Sequence, residues 1–277
     1  VINENTVTLT DCVDGLKDLI SESVDAVLTD PPSYKDRSKR SFKTLLHQVG
    51  VELLRVLKPG GHAVVGAPPP SSHWAVDALE DVGFEVQDCI YQRLQPILPK
   101  NVDLGRLDPA WSGWGTVLPS AIECWWLLRK PLQESTLLKQ LQKTRTGALN
   151  LEAAFLGDKG FSNLITFSRV RREEKDDIDD KYVKNNQRNV KSIELMLYLM
   201  RMVTPSEGLV VDPFCGSGTT CLAAIIGDFR FIGFDNDPEA VKVSLARIDT
   251  IIRRQEEYDR QRENVNALFV NISEEDD

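Results

Sequence analysis

Apolar and polar positions alternate along the chain in a way that separates short strands from amphipathic helices. Val24–Asp30 reads VDAVLTD, an apolar run that ends in an acid and two prolines, as a short buried strand does. From Phe42 to Leu57 the apolar residues recur at 42, 45, 46, 49, 53, 54 and 57, the stripe of a helix lying on a core. Lys58-Pro59-Gly60-Gly61 stops that helix, and His62–Ala67 is the next strand. Ser71–Asp81 reads as a helix N-capped by Ser71 or Ser72, with Phe84–Tyr91 and Ile122–Leu128 as further strands. Residues 132–188 break the rhythm, and the charge run Arg169–Lys181 is expected to be a solvated surface insertion with a mobile loop. The rhythm then resumes. Val190–Val203 predicts a helix with Ile193, Met196, Leu197, Met200 and Val203 on one face. Strand Leu209–Val211, helix Gly218–Ile226, strand Arg230–Phe234 and helix Pro238–Arg254 follow. This order predicts an α/β fold with a doubly wound sheet. The acidic end, Asn271–Asp277, is expected to be disordered.

A chain of 277 residues suits one large α/β domain with a small insertion and is short for two domains. With 42% hydrophobic and 27% charged residues it can bury a sizeable core. Its apolar runs are too short to span a bilayer, so no membrane partner is expected. Val1–Asp11 is polar and lacks the apolar core of a signal peptide, so secretion is not expected either. Cys12, Cys89, Cys124, Cys215 and Cys221 are scattered, and there are only three His. Neither a metal site nor a disulfide framework is expected, and a reducing cytosol fits.

The formal charge of −9 by itself argues against nucleic acid. Its distribution changes that reading. Lys35, Arg37, Lys39, Arg40 and Lys43 follow the first Pro-Pro, opposed only by Asp36. Arg129, Lys130, Lys139, Lys143 and Arg145 form a second cluster, and Arg169, Arg171 and Arg172 a third. The negative excess sits in Asp176–Asp180 and the tail. One such run is commonly a solvated face, but three flanking a pocket point to phosphate contacts. Trp111, Trp114, Trp125 and Trp126 are expected in the core rather than as DNA wedges, with at most one of the last two facing it.

Two corners carry candidate chemistry. Asp212-Pro-Phe-Cys-Gly216-Ser-Gly218-Thr-Thr220 follows a strand and opens a helix. Its glycines allow a tight turn, and the helix N-terminus offers free N–H groups. Seventeen residues after Gly218 the next strand ends at Asp235, where an acid can accept from ribose hydroxyls. The lysine of a P-loop is absent, and Cys221 stands where a dinucleotide fingerprint has its third glycine. A plain strand–helix turn is the alternative, which the flanking Asp212, the Thr pair and Asp235 disfavour. The second corner is Thr29-Asp30-Pro31-Pro32-Ser33-Tyr34. Consecutive prolines donate no N–H, so the Pro31 carbonyl and Asp30 form a pair of acceptors that matches an exocyclic NH2. Tyr34 could stack on a planar base.

Together these motifs resemble the DNA amino-methyltransferases of the permuted, beta-type group, which use S-adenosylmethionine (SAM). The resemblance covers about Val7–Ile248. Asp30-Pro-Pro resembles the catalytic (D/N/S)PP(Y/F) motif, and Leu57-Lys-Pro-Gly-Gly-His62 the segment after the next helix. Asp212–Thr220 resembles the SAM motif, Phe231–Asp235 its partner strand, and Val190–Met196 the helix leading into the SAM site. Thr10-Asp11-Cys12 is similar to the segment near the SAM adenine. Catalytic motif before SAM motif is the mark of the permutation.

The resemblance implies a circularly permuted, Rossmann-like methyltransferase fold. Residues 1–131 would be the catalytic half, 132–188 the target-recognition insertion and 189–255 the SAM-binding half, with 256–277 an acidic, disordered tail. Asp30, Pro31, Pro32 and Tyr34 would form the catalytic corner. SAM would be held by Asp11, Cys12, Lys191 and Asp212, by the turn residues Phe214, Cys215, Gly216, Ser217, Gly218 and Thr219, and by Asp235 and Asn236. Lys35, Arg37, Lys39, Arg40, Lys43, Lys143 and Arg145 would meet double-stranded DNA. The implied reaction moves a methyl group from SAM to the amino nitrogen of a flipped base. Asp at the head of the motif favours adenine N6, whereas cytosine-N4 enzymes more often carry Ser. The family further implies a cytoplasmic, bacterial or phage-encoded protein that acts in restriction-modification, and a homodimer by analogy.

The chain departs from the family in three places. Ser33 stands where an aromatic usually follows Pro-Pro. Gln187-Arg188-Asn189-Val190-Lys191-Ser192 replaces His-Pro-Thr-x-Lys-Pro. Pro68-Pro69-Pro70 replaces a family loop. These keep open a catalytically degenerate SAM- or DNA-binding module, and a methyltransferase for RNA or a protein amide is the third reading.

Overall fold

The computed structural model describes residues 3–32, 38–94, 103–118, 120–153, 162–168, 170–187 and 189–274, with side chains up to 262. The first half contains β1 (Thr6–Leu9), α1 (Cys12–Lys17), β2 (Val24–Thr29), α2 (Lys39–Val56), β3 (Leu57–Ala67), α3 (Pro69–Glu80) and β4 (Glu85–Arg93). Then come β5 (Ile122–Arg129), α4 (Leu137–Thr144), β6 (Leu164–Thr166) and the short α5 (Arg172–Lys175). The last part is α6 (Ile193–Val203), β7 (Leu209–Asp212), α7 (Thr219–Ile226), β8 (Arg230–Asp235) and α8 (Pro238–Glu274). The strands form one sheet in the order β1-β8-β7-β2-β3-β5-β4-β6. Pairing is parallel from β1 through β3, antiparallel for β3/β5 and β5/β4, and parallel again for β4/β6.

Both faces of the sheet are covered, which is why β2 is buried at every position. Ala26 and Leu28 pack with residues of α6, α7 and α8, while Val27 packs with residues of α1, α2 and α3. From β7 the chain crosses to β8 on one side, and from β2 it crosses to β3 on the other. The strand order therefore reverses between β7 and β2, and a crevice opens beyond their carboxyl ends. Among the described residues no helix is long and apolar enough to cross a membrane.

Several expectations change. Ser71 and Ser72 do not cap α3. The helix begins at Pro69, and both hydroxyls donate back to the Pro68 and Pro69 carbonyls at 3.3 and 3.2 Å. Proline suits the first turn because the N–H it lacks has no partner there. Lys58–Gly61 ends α2 but lies within β3, where the register against β2 slips between Val24 and Ala26. Trp125 is fully buried on one face and Trp126 half-buried on the other, so both meet a core, because a sheet covered on two faces has two of them. Trp111 and Trp114 are not core. They are 50% and 63% exposed and pack edge to face on each other, 5.7 Å between centroids.

The charge run is tied down rather than loose. Arg254 of α8 donates to Asp177 and Asp179 at 2.8 and 2.9 Å, and the Asp179 N–H donates to Thr250 Oγ1 at 3.1 Å. Residues 132–188 thus add α4, β6 and α5 to the same body as the sheet. α8 runs on to Glu274, past residue 256 where the acidic tail is expected to begin. Its Arg-, Glu- and Gln-rich residues are strong helix formers and continue α8.

Candidate active site

The glycine turn joins β7 to α7 at the crevice. Gly216 and Gly218 have φ of +53° and +80°, values that β-carbon-bearing residues avoid. A Cβ on Gly218 would come within 2.8 Å of Ser244 Cβ, so this glycine serves the packing of α7 on α8. It does not line the cavity, unlike its expected role. A Cβ on Gly216 would meet nothing closer than 3.9 Å, so that position is open to a ligand. Asp212 anchors the turn from below. Its Oδ1 accepts from Thr29 Oγ1 at 2.7 Å and from the Phe214 N–H at 3.0 Å, and its Oδ2 from Thr220 Oγ1 at 2.5 Å. Burial pushes this carboxyl up to about 6, against the pull of those three hydrogen bonds. At the end of β8, Asp235 accepts from the N–H of Gly216 at 2.8 Å and of Asp237 at 2.9 Å. Its carboxylate is half-buried and faces the cavity.

Arg247 of α8 was not foreseen. It is buried beneath the turn, and its Nη1 donates to the Ser217 carbonyl at 2.7 Å and to Ser217 Oγ and Thr219 Oγ1 at 3.2 Å. In the sequence it is one more basic residue in a charged helix. Only its buried face distinguishes it.

Asp30 follows β2 at the neighbouring strand end. Its Oδ2 lies 3.1 Å from Lys191 Nζ, which also donates to Glu123 Oε2 of β5 at 2.8 Å. Burial raises the Asp30 carboxyl above its ordinary value, Lys191 draws it back in part, and Glu123 pushes it further up. For Lys191 burial disfavours the charge, yet Asp30 and Glu123 outweigh it and hold the ammonium above its usual range. Lys191 reaches this corner because α6 begins only at Ile193, leaving it on the extended lead-in. Glu123 carries no motif and was missed. Tyr34, Lys35 and Arg37, like Ser33, Arg169 and Arg188, lie outside the described residues.

Both corners open into one cavity of about 590 Å³. Asp30, Pro31, Pro32 and Lys191 line one side of it. Asp11, Cys12, Asp212, Phe214, Cys215, Gly216, Ser217, Thr219, Asp235 and Asn236 line other parts of it, and so do Leu45, Asn186 and Gln187, for which no site role was expected. The expected cations divide. Lys39 lies 4.9 Å over the Trp74 ring, Lys43 is paired with Asp77, and Arg40 is exposed at the start of α2. Lys143 and Arg145 do not flank the cavity. α4 packs at the opposite end of β3, where Gln140 Nε2 donates to the Pro59 carbonyl at 3.0 Å. Eight residues of strand put them roughly 25 Å from the Asp30 end. There Lys143 pairs with Glu134 at 2.6 Å and Arg145 donates to the Ser206 carbonyl at 3.2 Å.

The sequence profile of the DNA methylase family, N6 and N4 type, matches residues 24–246 and so takes in both corners. The chain belongs to that family. The type II methyltransferase M.HindIII of Haemophilus influenzae is 28% identical to it over 211 residues, which are 71% of this chain and 66% of that protein. The chain thus spans just under two thirds of that relative's length. Among solved structures, the cytosine-N4-specific PvuII DNA methyltransferase superposes with a TM-score of 0.65 at 20% identity, over 89% of this chain and 87% of that one. A putative DNA modification methylase from Thermus thermophilus, complexed with SAM, gives 0.61 at 20% identity, over 88% and 92%. The fold of this family member is therefore that of the SAM-dependent DNA methyltransferases, with its Asp-Pro-Pro corner ahead of the glycine turn in the chain.

Proposed function

We propose that the chain transfers a methyl group from SAM to the exocyclic amino nitrogen of a flipped base in double-stranded DNA, adenine N6 being the preferred acceptor. The observation that carries this reading is the single cavity shared by Asp30-Pro31-Pro32 and the Gly216–Asp235 pair at adjacent strand ends. The residues present fit SAM. The space over Gly216 is open, a half-buried carboxylate at Asp235 can accept from ribose hydroxyls, and the cavity is large enough for a nucleoside with a side chain. Asp11 and Cys12 would lie by the adenine, Asn236 by the ribose, and the turn from Phe214 to Ser217 by the methionine part.

SAM supplies an electrophilic methyl group on a sulfonium. Asp30 and the Pro31 carbonyl hold the two N–H donors of the target amino group and draw its lone pair out of conjugation with the ring. The corner aims that nitrogen across the cavity, so positioning replaces covalent catalysis. Pro32 stiffens the corner, and Tyr34 stacks on the extruded base. Lys39 and Arg40, at the start of α2, meet phosphates, and Lys43 joins them by giving up its partner Asp77; the same role is proposed for Lys35 and Arg37, which lie outside the described residues. The target-reading role of residues 132–188 falls to their second part, because α4 lies at the far end of the sheet while Asn186 and Gln187 reach the cavity.

The test is to incubate the protein with unmethylated duplex DNA and methyl-labelled SAM, then to digest the DNA to nucleosides. Labelled N6-methyladenine is expected. N4-methylcytosine moves the acceptor to cytosine. SAM binding without any transfer leaves a degenerate binding module.

A further inference from the structure

Three charges from three separate segments meet at the Asp30 corner, and the methyl transfer itself uses only one of them. Lys191 Nζ lies 3.1 Å from Asp30 Oδ2 and 2.8 Å from Glu123 Oε2. It also stands 5.6 Å over the Trp125 ring, whose indole N–H is held by Gln92 Oε1 at 3.1 Å. The Lys191 side chain is only 16% exposed, so this ammonium is a fixed feature and not a surface contact. On the other side of Asp30, a Cβ on Gly66 would stand 2.8 Å from Oδ1, so the glycine leaves that oxygen room.

Resting on the methyl-transfer reading, we propose that Lys191 is a positioning residue: it engages Oδ2 of Asp30 and leaves Oδ1 to accept from the target amino group, while Glu123 anchors the ammonium in that place. This role differs from the cofactor contact implied for Lys191 by the family resemblance. An ammonium already facing two carboxylates has little left for the carboxylate of SAM. The pairing also decides what Asp30 can do. A carboxylate only accepts hydrogen bonds, whereas a protonated carboxyl presents a donor to a group that itself must donate. Among the described residues, the charged groups facing Asp30 are Lys191 from the lead-in to α6 and Glu123 from β5. Asp212 of β7 bonds instead to Thr29, the residue before Asp30, and β3 presents the uncharged Gly66. Without Lys191, burial and Glu123 both act against ionisation of Asp30.

The experiment compares the parent with Lys191→Met, Lys191→Arg and Glu123→Gln. The carboxyl carbon of Asp30 is followed by NMR in ¹³C-aspartate-labelled protein and assigned with Asp30→Asn. SAM affinity is measured by calorimetry, and turnover on duplex DNA is measured from pH 6 to 9. In Lys191→Met the Asp30 titration should rise by one pH unit or more. Turnover at pH 7 should fall tenfold or more and recover in part by pH 9, with SAM affinity within twofold of the parent. Lys191→Arg should restore the titration, and Glu123→Gln should lower it. An unmoved Asp30 titration in Lys191→Met overturns the proposal. So does an equal loss of turnover at every pH, the mark of a merely structural role. A tenfold loss of SAM affinity assigns Lys191 to the cofactor and overturns it too. A parent protein that transfers no methyl group overturns the functional reading alone, since the titration is read without turnover.

Discussion

The two ends of the sheet treat polar groups in opposite ways. At the amino end of β3 they are answered by other parts of the protein. The Pro59 carbonyl accepts from Gln140 Nε2 at 3.0 Å and Thr146 Oγ1 at 2.7 Å. Asp25 takes Lys58 Nζ at 2.6 Å and the Leu209 N–H at 2.8 Å. At the carboxyl end Asp11, Asp30, Asp212 and Asp235 converge on one cavity, where Lys191 is the cation among the described lining residues. Four acids on the wall of one cavity with a single lysine among the described lining residues leave acidic surface for donors from a ligand. Polar groups at the first end only stabilise, whereas those at the second hold the turns with part of their capacity and still face open space.

The sharpest way to break this comparison is Asp30→Ala. Turnover should fall by roughly 100-fold or more, as for the loss of a key polar contact in a transition state. Stability should change little, because Lys191 keeps Glu123 as its partner while a buried carboxylate is removed. Radiolabel transfer and urea unfolding check the two halves. Asp25→Ala should do the reverse. It strands the Leu209 N–H and the Lys58 ammonium, costing about 2–3 kcal/mol of unfolding free energy. SAM affinity by calorimetry should not change.

The effect of pH sharpens the contrast further, through two buried groups of opposite sign. Burial, aided by Arg129, holds the His62 imidazole down to about 4. The unfolded chain takes up that proton near 6.5 while the fold resists it, so stability from this group is full above 6.5 and is lost as pH falls toward 4. Asp212 keeps its proton up to about 6 in the fold, so its contribution is full below its ordinary 3.8 and is lost as pH rises through 6. In His62→Leu the acid loss should shrink by about 3 kcal/mol at pH 4, seen in unfolding curves taken across that range. The smallest effect concerns the cations. Lys39→Ala with Arg40→Ala should weaken binding to any duplex by about 1 kcal/mol and flatten its salt dependence. Lys143→Ala with Arg145→Ala should leave both unchanged in the same fluorescence-anisotropy titration.

What was legible in the chain follows the same division. Asp30 and Gly216 could be read because strand-end acids, paired prolines and glycine turns are local devices with local signatures. Asp235 could be read because a short helix fixes its distance from the turn. Glu123 could not, since it meets Lys191 only because β5 runs antiparallel beside β3, and Lys191 follows it by 68 residues. Lys143 and Arg145 looked like a flank of the cavity because a charge run carries no sign of which end of a strand it adjoins. The helical rhythm gave the elements well but not their ends. α2 starts at Lys39, where Ser38 Oγ accepts from the Ser41 N–H at 3.1 Å, three residues before the apolar stripe. Trp111 and Trp114 were misplaced because aromatic content predicts burial only on average.

The pairing of β1 with β8 has a consequence for synthesis. Thr6 lies opposite Ile232, which follows it by 226 residues. At ordinary ribosomal speeds that is a delay of roughly 10–45 s. β2 waits almost as long for its neighbour, since Ala26 lies opposite Val210. During that interval β2, apolar along most of its length, is the open edge of a half-built sheet, the kind of edge that recruits other chains. The wall carrying Gly216 and Asp235 does not yet exist, so no small molecule can steady the nascent half by binding it. A ribosome that stops before residue 209 therefore releases a sticky fragment with its Asp-Pro-Pro corner on an unguarded strand, and self-association rather than partial activity is its fate.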